Sequence, residues 1–593
     1  MVSIRGILTV ALLIAALALH LHGLLPYLPR TDNDFDAVYH YLPDAKRLLH
    51  EGFSFFLEEE SIAAPPFAYI YPALIGPTLA TVKNANVVLS CVLMLFVYRT
   101  GVLWQSRLAG LCAALVYAAT PLLKPYLATA VTEPPYLFLA GLWIWALSEW
   151  VVRGRPVYVA MAGIALSLAL LTRASIFYGV VILTAVLVWR AYRAAPAIAR
   201  EARGSALVHL IALVPALAFI VKNLAVFGFA FYTTGAGNAL YLGSNPATGG
   251  YDPNYLGLIY DSGMIARDQS HLSLEAERLL GGVARMVLAS LDPAFVAAMY
   301  AKKVAAFLFV TNAETIGDIV TLRAWRIATL ILAAIGIFGI RVRWLRALAA
   351  GIVLYQVASH IPVLYTHRYS VGALDLWLAL LSGIGIATLW QRRRRAAEGA
   401  IVAAAILAGA LAGGYAYWNG TFPEPDAWVA AHDIVWDRSA EALEAASVQG
   451  FVAQDGAWRF GQRLATLEFE VHDAPRFHPL FNYALVIDST LTPAASDEAC
   501  GVVRIAYKRE GESDFSDAHE ITRKLIADGK PHEDQFGASI PLHLQGEGRL
   551  RLAFECAPGG RLELRRLAVV ALLGALDYHD RYFAQHPELV HPR

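Results

Sequence analysis

Eleven apolar runs of membrane-spanning length, or slightly short of it, punctuate the first 417 residues: near 4–26, 84–100, 106–121, 133–151, 156–172, 174–190, 206–226, 324–340, 345–365, 370–390 and 398–417. A helix crossing a bilayer needs roughly 17–25 such residues, because its backbone polar groups must be satisfied within the segment. The pattern predicts a polytopic all-α membrane domain over residues 1–417. Overall the chain is 57% hydrophobic and 16% charged over 593 residues. The first run, from Ile4 to Leu25, lacks a small-x-small cleavage site and reads as a retained helix.

Arginine placement sets the orientation. With a cytoplasmic N-terminus, Arg99, Arg107, Arg153, Arg155, Arg190, Arg193, Arg200, Arg203, Arg341, Arg343, Arg346 and the run Arg392–Arg395 all fall on the cytoplasmic side. The external face then receives a loop over 27–83, a second over 227–322, and a tail over 418–593. Loop one carries an amphipathic stretch around Asp44–Leu49, and loop two carries two more, Leu272–Val287 and Pro293–Val310. The tail changes character. From Phe460 onward, short alternating runs separated by Gly, Pro and Asp turns predict an extracytoplasmic antiparallel β-sandwich, jelly-roll-like, over 418–593. Cys500 precedes one strand and Cys556 ends another, a placement suited to a disulfide in an oxidising compartment. Formal net charge is zero, which points to no nucleic-acid partner.

The isolated polar residues of the membrane region gather on the external side. Three carboxylates, Asp32, Asp34 and Asp36, follow the first helix. Lys124 sits in the link before the fourth run and Glu133 opens that run. Arg173 occupies the turn between the fifth and sixth, Lys222 and Asn223 end the seventh, and His367, Arg368 and Tyr369 precede the tenth. Ionisable groups at membrane depth are costly and argue for function. Arginine or lysine alone can snorkel to headgroups, but so many on one face point to a shared site. Basic residues beside acids suit a phosphate held next to a general base.

Several short motifs run in a fixed order along residues 1 to about 390. The acids of loop one are followed by Tyr41-x-x-x-Ala45 and a Leu-Leu-x-x-Gly ending at Gly52, then Ala64-Pro65-Pro66 and Thr132-Glu133. Next come Gly163-x-Ala-x-x-Leu-Ala-Leu-Leu-Thr172-Arg173, Lys222-Asn223 with Phe227-Gly228, Gly237-Asn238-x-Leu240-Tyr241-x-Gly243-Ser244-Asn245-Pro246, and Arg368-Tyr369. In these the chain resembles the polytopic GT-C fold glycosyltransferases, in particular bacterial relatives of protein O-mannosyltransferases and of the lipid A aminoarabinose transferase. The resemblance implies an inverting transfer of a sugar from a polyprenyl-phosphate-sugar lipid donor. The acceptor would be an envelope glycan, a glycolipid or a protein, although the contiguous Asp-Glu pair of the protein mannosyltransferases is missing. It implies Asp36 as the first catalytic candidate and Asp34 as the second. Arg173, Lys222, Arg368 and Lys124 would hold the donor phosphate. Glu133, Asn238, Tyr241, Asn245, Tyr369 and His367 would orient the donor or line its sugar pocket. Relatives differ in using a divalent cation such as Mg or Mn; Asp34, Asp36 and Glu133 would be its ligands here.

Two other classes fit the same helices. One is a transporter or flippase of lipid-linked saccharide, for which inverted repeats and mid-membrane sites are the usual signs; neither is evident. The other is a non-catalytic glycan-binding membrane protein, which leaves the acid and arginine clusters without a use. The arrangement suits a multi-pass protein of a bacterial inner membrane with its tail in the periplasm.

Overall fold

The computed structural model describes residues 4–391 and 432–572, apart from 31–33, 35, 60–61, 63, 245–249, 251–271, 291–292 and 310–318 in the first stretch and 440–444, 455, 475–482, 495–499, 510, 512, 516–519, 526 and 537–545 in the second. The chain divides into two compact units. The first comprises Met1–Ala236, Leu272–Leu274 and Tyr300–Trp418, the second Gly237–His271, Glu275–Met299 and Asn419–Arg593. Residues Glu275–Met299 of loop two are thereby assigned to the second unit.

In chain order the principal helices begin with α1 (Ile4–Leu24), α2 (Leu42–Glu51), α3 (Leu79–Trp104), α4 (Arg107–Ala119), α5 (Glu133–Arg153), α6 (Val157–Leu170), α7 (Phe177–Arg193) and α8 (Pro196–Phe227). They continue with α9 (Ala236–Gly243), α10 (Leu274–Ser290), α11 (Pro293–Phe309), α12 (Ile319–Gly339), α13 (Arg343–His360) and α14 (His367–Gln391). The first ten apolar runs of the sequence each fall on a helix; the run 398–417 lies outside the described residues. Seven described helices, α1, α3, α5, α7, α8, α12 and α14, are long and apolar enough to cross a membrane, and α4 and α6 are shorter apolar helices. The protein is thus a multi-pass membrane protein. Several helices outrun their apolar stretch. α8 extends back to Pro196, taking Arg200 and Arg203 into its first turns, because a proline at N1 starts a helix and the alanines and arginines that follow are good helix formers.

The first unit is organised on α14, which is buried along nearly its whole length and packs against α12 and α4. Bare backbone makes the closest crossing. A Cβ on Gly336 of α12 would lie 1.9 Å from the Leu381 carbonyl oxygen, and one on Gly385 of α14 would lie 2.0 Å from that of Leu332. In lipid, small residues at a crossing replace the hydrophobic driving force with close van der Waals contact.

The second unit contains eleven described strands: β1 (His432–Ser439), β2 (Ala445–Gln449), β3 (Phe451–Gln454), β4 (Ala457–Phe460), β5 (Leu464–Ala474), β6 (Tyr483–Thr492), β7 (Cys500–Arg509), β8 (Glu520–Lys524), β9 (Pro531–Phe536), β10 (Gly546–Cys556) and β11 (Arg561–Leu572). They form two antiparallel sheets, one ordered β3-β4-β11-β6-β9 with β1 also on β11, the other β2-β5-β10-β7-β8. Leu550, Leu552, Phe554 and Cys556 on β10 are all fully buried, the period-two signature of a strand with one face on a core. Phe451 of the first sheet meets Phe554 of the second at 6.2 Å between ring centroids. Cys500 and Cys556, opposite one another across β7 and β10, are disulfide-bonded.

Candidate active site at the helix ends

Four ionisable residues, far apart in sequence, converge in the first unit. Asp36 immediately precedes a short π-helical turn, Ala37–Tyr41, that leads into α2; such turns are rare and concentrate at functional sites. Glu133 is the first residue of α5, followed by Pro134, so the carboxylate sits at the favourable positive end of the helix dipole. Arg173 follows the end of α6 in extended conformation, its backbone N–H donating to the Ala169 carbonyl at 3.0 Å. Arg368 lies in the first turn of α14.

Arg368 is the hub. Its Nε and Nη2 donate to the two oxygens of Glu133 at 2.6 and 3.0 Å, a bidentate pair, and its Nη1 donates to Asp36 Oδ2 at 2.5 Å. Arg173 Nη1 approaches Glu133 Oε1 to 3.0 Å, an ion-pair contact without hydrogen-bond alignment, so that this buried nitrogen has no acceptor among the described residues. The Arg173 guanidinium is held over the rings of Tyr136 and Tyr369, at 5.8 and 5.7 Å. Gly372, one turn beyond Arg368, leaves the room. A Cβ there would meet Glu133 Cγ at 3.1 Å and Arg173 Nη1 at 3.2 Å. The Glu133 side chain is 1% exposed, whereas that of Asp36 is 32% exposed. Two acids face two guanidinium groups, so the cluster is formally neutral, and an incoming anion must compete with Asp36 for Arg368. Burial raises the pKa of the Tyr41 phenol, one turn beyond Asp36, which keeps it a neutral donor.

Of the other expected residues Tyr369 meets the cluster through Arg173, while Asp34, Lys124 and Lys222 have other partners within the first unit. Asp34 is fully buried, with Lys83 Nζ at 2.9 Å and the Ala130 backbone N–H donating at 2.6 Å, so it ties loop one to the bundle. Both oxygens of this second catalytic candidate are thus engaged in the interior, unlike those of the half-exposed Asp36. Lys124 turns inward, its Nζ 2.6 Å from His20 Nδ1, and burial brings its pKa down to about 7. Lys222 Nζ donates to the Phe56 carbonyl at 2.5 Å and stands over the Phe219 ring. Neither lysine has a hydrogen bond or ion pair to Asp36, Glu133, Arg173 or Arg368 among the described residues. His367 packs against Tyr126 at 6.2 Å between ring centroids, and both its ring nitrogens are buried without a hydrogen-bond partner among the described residues. Asn238 and Tyr241 lie on α9 in the second unit, and Asn245 lies outside the described residues. Lys83, Tyr136 and His20 were not singled out by sequence. Lys83 was the one with a signal, as a lone cation at the start of an apolar run.

A divalent cation does not fit the proposed ligands as they stand. Asp34 faces Lys83 and a backbone N–H, and both Glu133 oxygens face guanidinium groups. No group of three or more His, Cys, Asp or Glu suited to a metal occurs among the described residues.

Fold and cluster together define a multi-pass membrane protein with a balanced two-acid, two-arginine site at the ends of its helices. No family model and no curated protein matches the sequence. Among solved structures, the chain is similar to the apo oligosaccharyltransferase of Archaeoglobus fulgidus, at 13% identity and TM-score 0.38 over 71% of this chain and 59% of that one. It is similar also to the archaeal oligosaccharyltransferase AglB from Archaeoglobus fulgidus in complex with an inhibitory peptide and a dolichol-phosphate, at 13% identity and TM-score 0.40 over 72% of this chain and 59% of that one. A third is the arabinosyltransferase EmbB from Mycobacterium smegmatis, at 12% identity and TM-score 0.28 over 95% of this chain and 65% of that one. The chain therefore spans less than two thirds of the length of each of these structures.

Proposed function

We propose that the protein is an inverting glycosyltransferase that moves a sugar from a polyprenyl-phosphate-linked donor to an extracytoplasmic acceptor, an envelope glycan, glycolipid or protein. The observation that carries this reading is the single guanidinium of Arg368 bridging a buried Glu133 and a half-exposed Asp36. Glu133 fixes Arg368 and Arg173 side by side, and both arginines retain capacity to bind an anion. Donor phosphate engaging Arg368 and the unaligned Nη1 of Arg173 would release Asp36. The carboxylate then takes the proton of the acceptor hydroxyl as its oxygen attacks the anomeric carbon from the face opposite the phosphate. The bond from that carbon to the phosphate oxygen breaks with its electron pair on oxygen, leaving polyprenyl phosphate and an inverted sugar. A phosphate leaving group departs as an anion, so one base suffices. The disulfide of the second unit favours an oxidising compartment, in keeping with an external acceptor.

The test is transfer from a polyprenyl-phosphate sugar by the purified chain. Asp36→Asn is expected to abolish turnover while leaving donor binding largely intact. Asp34→Asn is expected to lower stability more than turnover per folded molecule. Turnover that survives Asp36→Asn removes the base and this reading with it.

A further inference from the structure

The opposite ends of α5 and α6 carry a second feature. α5 is 21 residues long, so its C-terminus lies about 31 Å from Glu133. There a shallow groove of about 410 Å³ opens between the start of α6 and the start of α8. Arg200, Gly204, Leu207 and Ile211 line it from α8. Their spacings of four, three and four put them on one stripe. Trp150 forms the floor, and Gly204 is what lets it sink, since a Cβ there would lie 2.2 Å from Trp150 Cζ2.

The mouth of the groove is basic and the body is apolar. The acids at this end are already engaged. Glu149 pairs with Arg99 and Arg153, each at 3.0 Å, and Glu201 with Arg190 at 2.7 Å. Arg200 instead lies over the Trp150 ring at 5.6 Å and donates to the Gly154 carbonyl at 2.7 Å, while Arg203 is exposed. Neither has a carboxylate within ion-pair distance among the described residues. On the same two helices, Leu210 and Val214 of α8 and Val157 and Ile164 of α6 are exposed, as expected of side chains that face acyl chains.

We infer that this groove binds an anionic phospholipid, with one acyl chain along the Leu207–Ile211 stripe and its phosphate on Arg200 and Arg203. Two guanidinium groups without acids, at the rim of an apolar trough in a spanning helix, complement that molecule in charge and in solubility. A zwitterionic lipid brings its own cation and leaves the pair uncompensated. The site is independent of the transfer chemistry at Asp36.

The full chain is purified in detergent and titrated with phosphatidylglycerol or phosphatidylcholine, with bound lipid counted by native mass spectrometry. One phosphatidylglycerol is expected to be held, about tenfold more weakly in Arg200→Gln/Arg203→Gln and unchanged in Arg107→Gln/Arg193→Gln, which loses the same charge elsewhere. Equal retention by the wild type and the groove variant, equal loss in the control, or phosphatidylcholine held as tightly overturns the site. Phosphatidylglycerol with brominated acyl chains should also quench the fluorescence that Trp150→Phe removes. No quenching of that component places the lipid elsewhere and overturns the assignment independently.

Discussion

Arg368 stands where elementary electrostatics disfavours it, since the first turn of a helix presents the positive end of the dipole. Its position is tolerable because Asp36 and Glu133 supply two negative charges within hydrogen-bond reach. The dependence is mutual. Arg368→Gln leaves the buried Glu133 carboxylate with only the misaligned Arg173, and breaking a buried pair on one side costs about 3–5 kcal/mol. Adding Glu133→Gln to that variant should return most of the loss, because both charges are then gone. Thermal unfolding of the four members of this double-mutant cycle measures the coupling, and additive losses would show that the pair does not hold the cluster. Asp36, Glu133, Arg173 and Arg368 were legible in the sequence as isolated charges at the ends of apolar runs. The partners of Asp34 and Lys124 were not, because which side chain meets Lys83 or His20 depends on how each helix is rotated about its axis. Hydropathy does not record that angle.

At the scale of elements, α14 is held in place by more than its glycines. Arg326 of α12 is fully buried, with its Nη2 2.5 Å from Asp375 Oδ2 and its Nη1 3.2 Å from Ser370 Oγ, both on α14. Ser370 Oγ in turn donates to the Phe307 carbonyl of α11 at 2.7 Å, so one buried network ties three helices two residues beyond Arg368. Asp375→Ala strands the Arg326 charge and should cost about 3–5 kcal/mol, whereas Arg326→Met with Asp375→Leu should be close to neutral in stability. Activity separates the roles. If the network only stabilises, the double variant turns over donor normally; if it sets the register of α14, and with it Arg368, the double variant folds but loses turnover. The helices themselves were readable from periodicity and length. Their extensions, such as Pro196–Ser205 of α8, and the π-helical turn after Asp36 were not, since charged and polar residues (Arg200, Glu201, Arg203 and Ser205 in the first, Asp36 and His40 in the second) break the apolar run there.

At the scale of the whole chain, two units of different chemistry share one polypeptide. The first is sustained by helix crossings in which backbone meets backbone, the second by alternating strands and a covalent staple. The passage from helices to strands was legible as a change of period from about 3.6 to 2. The staple gives the largest-scale prediction. Cys500 and Cys556 are 56 residues apart, and a loop of that size lowers unfolded-chain entropy by an amount worth about 4 kcal/mol. Reducing the intact chain should therefore lower the unfolding transition of the second unit, read by loss of near-ultraviolet signal from its aromatic residues. The transition of the first unit, whose Cys91 and Cys112 are free thiols, should stay where it is. The same pair reports the compartment. In cells lysed directly into a polyethylene-glycol maleimide, the tail should take up label at Cys500 and Cys556 only after reduction. Labelling without reductant would mean that the tail matured in a reducing compartment. An extracytoplasmic acceptor for the Asp36 site would then lose its support, although the four-residue cluster itself would stand.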